Sequence, residues 1–145
     1  MSTLRLIIYY SLRVVTSIVG IVAGLLGAMH GYFEILQRNV AVSGVLIDAK
    51  TGRSVFEWSS LSADSEPALT IVPNLLATGI LAILMSTFII VWAVAFVHKR
   101  NAFLVLILSS CILCLFGGGF LPPLIGIVGG IIGIGIRPSE IRKAE

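Results

Sequence analysis

Two ionisable side chains interrupt the first long apolar run of the sequence. His30 and Glu34 lie one helical turn apart in the stretch GAMHGYFEILQ, residues 27–37. An imidazole and a carboxylate at positions i and i+4 face the same side of a helix, where they can pair with each other or handle a proton or an ion. The alternative is that the helix leaves the membrane here and the two groups meet water.

A second pair of polar residues is expected close to the first. Asn74 and Thr78 begin the next apolar run, at a similar depth from the same side. His30 is only three residues, or about 4.5 Å, from Phe33 at the end of its run. Because this depth is shallow, we favour a structural role, in which the second pair caps the first and ties an outer loop to the helices. A proton, ion or ligand site at His30, Glu34, Asn74 and Thr78 is the competing hypothesis.

One motif is typical of redox chemistry. Cys111 and Cys114 form a Cys-x-x-Cys sequence inside an apolar run. No basic neighbour stabilises a thiolate there, and the chain has no third cysteine to relay electrons. We therefore predict that the two cysteines serve as small packing residues.

No other pattern predicts catalysis or metal binding. The chain has no phosphate-binding loop and no His-Glu-x-x-His motif, and Glu34 is the only carboxylate near an apolar run. We expect no catalytic residue, no metal and no cofactor, so the protein is not predicted to be an enzyme.

The composition indicates a membrane protein. Of the 145 residues, 57% are hydrophobic and 12% are charged, against about 45–50% and 25% in soluble domains. The apolar residues form blocks, and a block of about 18 or more is what a membrane-spanning helix requires. We predict a single all-α membrane domain with four spans, followed by a cytoplasmic tail at 137–145. The predicted spans are 14–33, 74–97, 102–120 and 121–136.

The basic residues predict the orientation of these spans. They lie at the ends of the apolar runs rather than in one patch, so nucleic-acid binding is not expected. Seven basic residues share one side, against three on the other, which places both termini in the cytoplasm of a multi-pass protein of the cell membrane. The seven are Arg5, Arg13, Lys99, Arg100, Arg137, Arg142 and Lys143, and the three are Arg38, Lys50 and Arg53.

Two alternatives to this topology remain open. The first run could be a signal peptide cleaved after Ala28, but it is long for that purpose and lacks the pair of small residues at the cleavage site. Residues 102–136 could form a re-entrant hairpin, because the fourth run is short. We favour two spans, since residues 102–120 alone are long enough to cross.

The predicted outer loop, residues 38–72, contains a pattern typical of a β-hairpin. Residues 45–48 and 54–58 flank a turn in which Gly52 can take the left-handed position of a short hairpin loop. An isolated hairpin is marginally stable, so we expect Phe56 and Trp58 to pack against the helices, the membrane surface or a partner. A short apolar stretch at 68–72 is interpreted as an interfacial turn, and the second helix is predicted to carry Pro73 in its first turn.

Glycine stripes predict how the helices pack. The stripe of the first helix comprises Gly20, Gly24, Gly27 and Gly31, and that of the fourth comprises Gly126, Gly130 and Gly133. Glycines spaced by three or four residues let two helix backbones approach closely in lipid. We therefore predict that the first and fourth helices are close neighbours. The alternative is that glycine is merely tolerated in these apolar runs.

Three segments carry a resemblance to other proteins: HGYFEILQ, SEPALTIVPNLLATGILAI and GGGFLPP. With them the chain resembles small, uncharacterised four-span membrane proteins of prokaryotes, a resemblance that implies no activity, ligand or functional residue. The layout is also similar to that of claudin-like tetraspan proteins. The paired loop cysteines and the tryptophan motif of claudins are absent, so this similarity implies no adhesive role.

The sequence thus favours a non-catalytic membrane protein that acts as an accessory or structural subunit. Its expected surroundings are the lipid bilayer and another membrane protein or a second copy of itself. The alternative is a small transporter or channel component, with an outer polar vestibule at His30 and Glu34.

Overall fold

Four α-helices pack against one another in the described part of the chain, as the sequence predicts. The computed structural model describes residues 3–37, 46–48, 67–69, 71–72 and 74–136. The first two helices are long and apolar enough to cross a membrane, and the last two are shorter apolar helices. The helices are α1 (Thr3–Leu36), α2 (Leu75–Ala95), α3 (Ala102–Leu115) and α4 (Leu121–Gly133).

The centre of the fold is a close antiparallel contact between α1 and α2. At one end, a Cβ atom added to Gly31 would lie only 2.7 Å from the carbonyl oxygen of Gly79, and at the other, a Cβ on Gly20 would lie 2.6 Å from the Cβ of Ala93. Side chains of ordinary size would separate these helices, so the glycines allow the backbones to touch. The contact fixes the depth of each α2 residue relative to α1.

The glycine stripe of α1 faces a different neighbour from the one predicted. Gly20, Gly24 and Gly31 meet residues of α2, and Gly27 meets Ser86 of α2 and Leu113 of α3. The first and fourth helices are close neighbours, as predicted, but the contact is made by the glycines of α4, and the α1 stripe itself packs on α2 and α3. Spacing alone identifies the smooth face of a helix, but it carries no information on which of the three other helices fills that face.

Helix α4 nevertheless contacts α1, and it does so through its own glycines. Gly126 faces Ser110 of α3 with Ala23 of α1 behind it, and Gly133 lies between Phe103 of α3 and Thr16 of α1. Gly129 faces Val19 of α1, whereas Gly130 faces Phe103 and Ile107 of α3. Helix α4 thus lies in the groove between α1 and α3.

Helix α2 begins later than the sequence suggests. The prediction places Pro73 in its first turn, but the helix starts at Leu75 and Asn74 is its N-cap. The side-chain oxygen of Asn74 accepts hydrogen bonds from the backbone N–H groups of Leu76 and Ala77, at 2.9 and 3.2 Å. Asparagine is among the preferred N-cap residues because its short side chain can reach these otherwise unpaired donors.

Helix α3 ends at Leu115, earlier than the predicted limit of residue 120. Gly117 follows the C-cap residue Phe116 with φ at +80°, and the N–H of Gly118 donates to the carbonyl of Leu113 at 3.0 Å. A left-handed glycine and this backward hydrogen bond form a Schellman-type ending. Helix α4 then begins at Leu121 with Pro122 and Pro123 in its first turn, where the missing N–H groups would have had no partner in the helix.

Two short strands inside the predicted outer loop pair with each other. Strand β1 (Leu46–Asp48) pairs antiparallel with β2 (Pro67–Leu69), with Leu46 opposite Leu69. The sequence predicts the first strand, but it interprets residues 68–72 as an interfacial turn. The predicted partner strand 54–58, including Phe56 and Trp58, lies outside the described residues, so the tight hairpin stays a prediction.

The close contact between α1 and α2 can be tested with Gly31→Ala. The new methyl group would overlap the Gly79 carbonyl oxygen, so we expect a loss of about 1–3 kcal/mol in the free energy of unfolding, only partly offset by the better helix propensity of alanine. Thermal unfolding in one detergent would measure it. Gly133→Ala is the matched control, because its nearest atoms would lie at 3.3 and 3.4 Å. Equal losses in the two variants would contradict the proposed importance of this contact.

Candidate functional site

The His30–Glu34 pair lies buried near the C-terminal end of α1. The residue His30 is 9% exposed and Glu34 is fully buried, and Nε2 of His30 lies 3.7 Å from Oε1 of Glu34. This distance is within the range of an ion pair but too long for a hydrogen bond. The pair is therefore a close electrostatic contact inside the protein and not a helix end that meets water.

Thr78 of α2 lies against the carboxyl group of Glu34. A Cβ added to Gly117 would lie 2.7 Å from Oε1 of Glu34 and 3.1 Å from the Cβ of Thr78, so both side chains lie next to the same glycine. The hydroxyl of Thr78 is fully buried and donates to the carbonyl of Leu75 at 2.9 Å. Because a hydroxyl has a single proton, it cannot donate to Glu34 at the same time.

The carboxyl group of Glu34 is enclosed without a hydrogen-bond donor among the described residues. Both of its oxygens are inaccessible to solvent, and neither accepts a hydrogen bond from the part of the chain that the structure describes. Removing an ionised carboxylate from water without a compensating partner is costly, on the order of several kcal/mol. A side chain kept under these conditions is a candidate functional group.

A glycine turn between α3 and α4 covers the pair. Gly117 lies over the carboxyl group of Glu34, and an added Cβ on Gly119 would lie 3.1 Å from two ring atoms of His30. Both glycines have positive φ, at +80° and +70°, a backbone conformation that other residues adopt only with strain. The turn can therefore lie flat on the two ionisable side chains because it carries no side chains of its own.

Sequence reasoning missed the role of this turn. In the sequence, the stretch GGGFLPP carries only a resemblance to other membrane proteins and has no link to His30 and Glu34. The signal that could have made the link is positional, since three glycines at the end of the third predicted span reach the same outer level as the polar pair in the first. Glycines next to an ionisable pair indicate close backbone approach.

Asn74, the fourth residue of the predicted cluster, has a different position. Its side-chain oxygen is used to cap α2 and accepts from the backbone of that helix. The structure therefore brings together His30, Glu34 and Thr78 and adds Gly117 and Gly119 to them. Asn74 supports the site by fixing where α2 starts, and thus where Thr78 lies.

A groove connects the site to the exterior. It has a volume of about 290 Å³, and it lies between α1 and the start of α4. Among the described residues, His30 is the only ionisable residue that lines the groove, and Glu34 does not line it. The lining residues are Leu26, Met29, His30, Phe33, Gly119, Phe120, Leu121 and Pro122.

The cysteines lie apart from this site. Cys111 is exposed and Cys114 half-buried on α3, both as free thiols, and they line an apolar groove of about 280 Å³. Within the described ranges, no three His, Cys, Asp or Glu residues are grouped so that they could hold a metal ion. The chemistry available at the candidate site is therefore that of one imidazole and one carboxyl group.

Comparison of the chain with protein-family models, with curated proteins and with solved structures found no match.

The fit of the glycine turn can be tested with Gly117→Ala and Gly119→Ala. Both variants carry the strain of a positive φ, on the order of 1–3 kcal/mol, but only the Gly117 variant would also bring a methyl group 2.7 Å from Oε1 of Glu34. We expect Gly117→Ala to lower the unfolding temperature more than Gly119→Ala does. The reverse order would show that the turn does not lie on Glu34 as described.

Proposed function

We propose that the chain is a multi-pass membrane protein with all four helices in the bilayer. The observation that carries this proposal is the distribution of polarity. Buried polar side chains lie inside the bundle, while large apolar side chains cover its outside. In the 18-residue apolar stretch that would cross the membrane, only 28% of α1 and 33% of α2 is buried inside the protein. Neither helix therefore resembles the core helix of a soluble protein. The buried polar residues are Thr16, His30, Glu34, Thr78, Ser86, Ser109 and Ser110.

The packing of α1 favours a retained span over a cleaved signal peptide. Its glycines form the central contact with α2, and its residues also meet α3 and α4. Removing α1 would expose the buried surface of the other three helices and delete both members of the His30–Glu34 pair. A segment with these contacts is part of the fold.

The reach of α3 and α4 favours two spans over a re-entrant hairpin. Near one end of α1, Gly135 meets Leu12, and near the other, Gly117 meets Glu34. The two α1 positions are 22 residues apart, or about 33 Å of helix, which matches a bilayer core of about 30 Å. The α3–α4 hairpin thus extends along the whole stretch of α1 between Leu12 and Glu34. With two spans there, the distribution of basic residues supports cytoplasmic termini.

This topology can be tested by labelling single cysteines in a background that carries Cys111→Ser and Cys114→Ser. Phe120→Cys lies in the α3–α4 turn, and Phe96→Cys lies at the opposite end of α2, with exposed fractions of 40% and 38% for the natural side chains. A membrane-impermeant maleimide added to intact cells is expected to label the first variant and not the second. Labelling of Phe96→Cys alone would reverse the orientation, and labelling of neither would favour the re-entrant hairpin.

Within the membrane, we propose that the protein acts without catalysis as an accessory or structural subunit. The observation that supports a partner is the N-terminal part of α1. No residue from Leu4 to Val15 whose side chain is described is buried, and the first buried residue is Thr16. About 20 Å of helix therefore extends along or beyond the bundle with apolar residues on most sides. The predicted partner is another membrane protein or a second copy of this chain.

The glycine stripes of α1 and α4 are not available for contact with this partner. They are predicted from the sequence as contact surfaces, and in the fold each of them meets another helix of the same chain. The exposed apolar residues of the first α1 turns are better suited to an intermolecular contact. They include Leu4, Leu6, Ile7, Ile8 and Tyr10, with exposed fractions from 42% to 65%.

A small transporter or channel component is the second candidate. The observation that favours it is the fully buried carboxyl group of Glu34, because ionisable residues inside membrane segments commonly mark ion or proton pathways. The site differs from the open vestibule that this alternative predicts, since the turn at Gly117 and Gly119 covers Glu34 and leaves a groove only beside His30.

Assembly and flux measurements separate the two candidates. The tagged protein, extracted from native membranes in mild detergent, is expected to retain a partner or a second, differently tagged copy. Ile7→Ala combined with Tyr10→Ala is expected to reduce that recovery several-fold. Ile80→Ala combined with Phe88→Ala is the matched control, because it removes similarly exposed side chains from α2. Recovery of the wild-type chain alone would contradict the accessory role.

The protein extracted in this way is also reconstituted into liposomes, in which the flux of protons and sodium ions is measured. For an accessory subunit, Glu34→Gln leaves proton and sodium flux at the level of the wild type. Loss of a wild-type flux in Glu34→Gln, with assembly retained, would favour the transporter over the accessory subunit.

A further inference from the structure

The carboxyl group of Glu34 needs a partner that compensates its burial. It is fully buried, and no hydrogen bond reaches it from the described residues. In such surroundings a carboxyl group either binds a proton or pairs with a positive charge. The groups that face it decide between these options.

Among the described residues, one ionisable group faces Glu34. On α1, Nε2 of His30 lies 3.7 Å from Oε1. Helix α2 contributes Thr78, which does not ionise and donates its proton to Leu75. The α3–α4 turn contributes only the backbone at Gly117. Arg38 follows Glu34 by four residues in the sequence and lies outside the described residues.

The space beside the carboxyl group limits the size of a ligand. A single carbon atom added to Gly117 would already lie 2.7 Å from Oε1 and 3.1 Å from Oε2. A sodium ion with its coordinating waters is much larger than one carbon atom. The groove of about 290 Å³ opens beside His30 and does not include Glu34. A proton is the one ligand that needs no cavity at the carboxyl group.

We propose that His30 and Glu34 form a proton-binding site, in which one proton resides on either Nε2 of His30 or Oε1 of Glu34 and exchanges through the groove beside His30. With the proton on Nε2, the pair is an imidazolium and a carboxylate; with the proton on Oε1, both groups are neutral. Transfer requires the two atoms to approach from 3.7 Å to hydrogen-bond distance; it then breaks the N–H bond, leaves its electron pair on nitrogen and forms an O–H bond. The net charge of the pair is zero in both arrangements, which suits a buried site.

His30 connects this site to the outside. In the part of the chain that the structure describes, it is the only ionisable residue that lines the groove, and its imidazole also faces the buried carboxyl group. Water in the groove can deliver a proton to the imidazole, which can pass it to the carboxyl group behind. The proposal is independent of whether the protein is an accessory subunit or a transporter.

The test follows the imidazole of His30 by nitrogen-15 NMR. The sequence contains two histidines, so His98→Gln leaves His30 as the only reporter after labelling with ¹⁵N-histidine. The full-length protein in micelles is titrated from mildly acidic to mildly basic pH, with and without Glu34→Gln. We expect the midpoint of the His30 titration to shift by about one pH unit or more when the carboxyl group is removed, because interacting groups titrate as a pair. An unchanged midpoint would overturn the proposal.

Two further variants test the alternatives. Arg38→Gln is expected to leave the His30 titration unchanged; if it moves the midpoint as far as Glu34→Gln does, Arg38 is the partner of Glu34 and the proposal is overturned. Met29→Trp fills the groove and is expected to slow hydrogen exchange between the imidazole and water, whereas unchanged exchange would overturn the route.

A folding failure of Glu34→Gln does not end the test. The reciprocal variant His30→Gln is then studied with ¹³C-labelled glutamate in the protein. Because coupling between two sites is reciprocal, the carboxyl resonance that titrates with His30 must change its titration in this variant. Five glutamates that all titrate as in the wild type would overturn the proposal.

Discussion

The rest of the structure depends on the direct backbone contact between α1 and α2 at Gly31 and Gly79. In the proposed membrane setting, apolar side chains gain little by meeting each other, so helices associate through close packing and buried polar groups. The two glycines allow the first of these, and their position sets the second, because Thr78 adjoins Gly79 and Glu34 lies one turn beyond Gly31. A wider spacing between the helices would leave room beside the carboxyl group that water could fill.

The polar site can be understood as a consequence of this packing. Once α1 and α2 are in contact, His30 and Glu34 point towards the space that α3 and α4 must close. A turn with side chains would not fit there, whereas Gly117 and Gly119 place only backbone over the pair. The Schellman-type ending of α3 supplies that turn, and the two prolines that follow start α4 immediately.

The sequence predicts the parts of this arrangement that depend on local pattern. Four apolar helices follow from the lengths of the apolar runs. The close packing of α1 through Gly20, Gly24, Gly27 and Gly31 follows from the spacing of these glycines. The neighbour of that stripe could not be predicted, because periodicity identifies a face and not its partner. Asn74 was placed in the polar cluster because its depth is right, but the unpaired N–H groups of the first α2 turn compete for its oxygen. The covering of His30 by Gly119 depends on tertiary contacts between residues 89 positions apart in the chain.

The shortness of α3 and α4 has a consequence for the surrounding lipid in the proposed four-span arrangement. Their 14 and 13 helical residues correspond to about 21 and 20 Å, whereas α2 alone reaches about 32 Å. The α3–α4 hairpin therefore covers the depth of a bilayer core only together with its non-helical parts, the turn at 117–119 and residues 134–136. Because the turn over His30 and Glu34 lies at the end of these short helices, membrane thickness would act directly on the segment that closes the site.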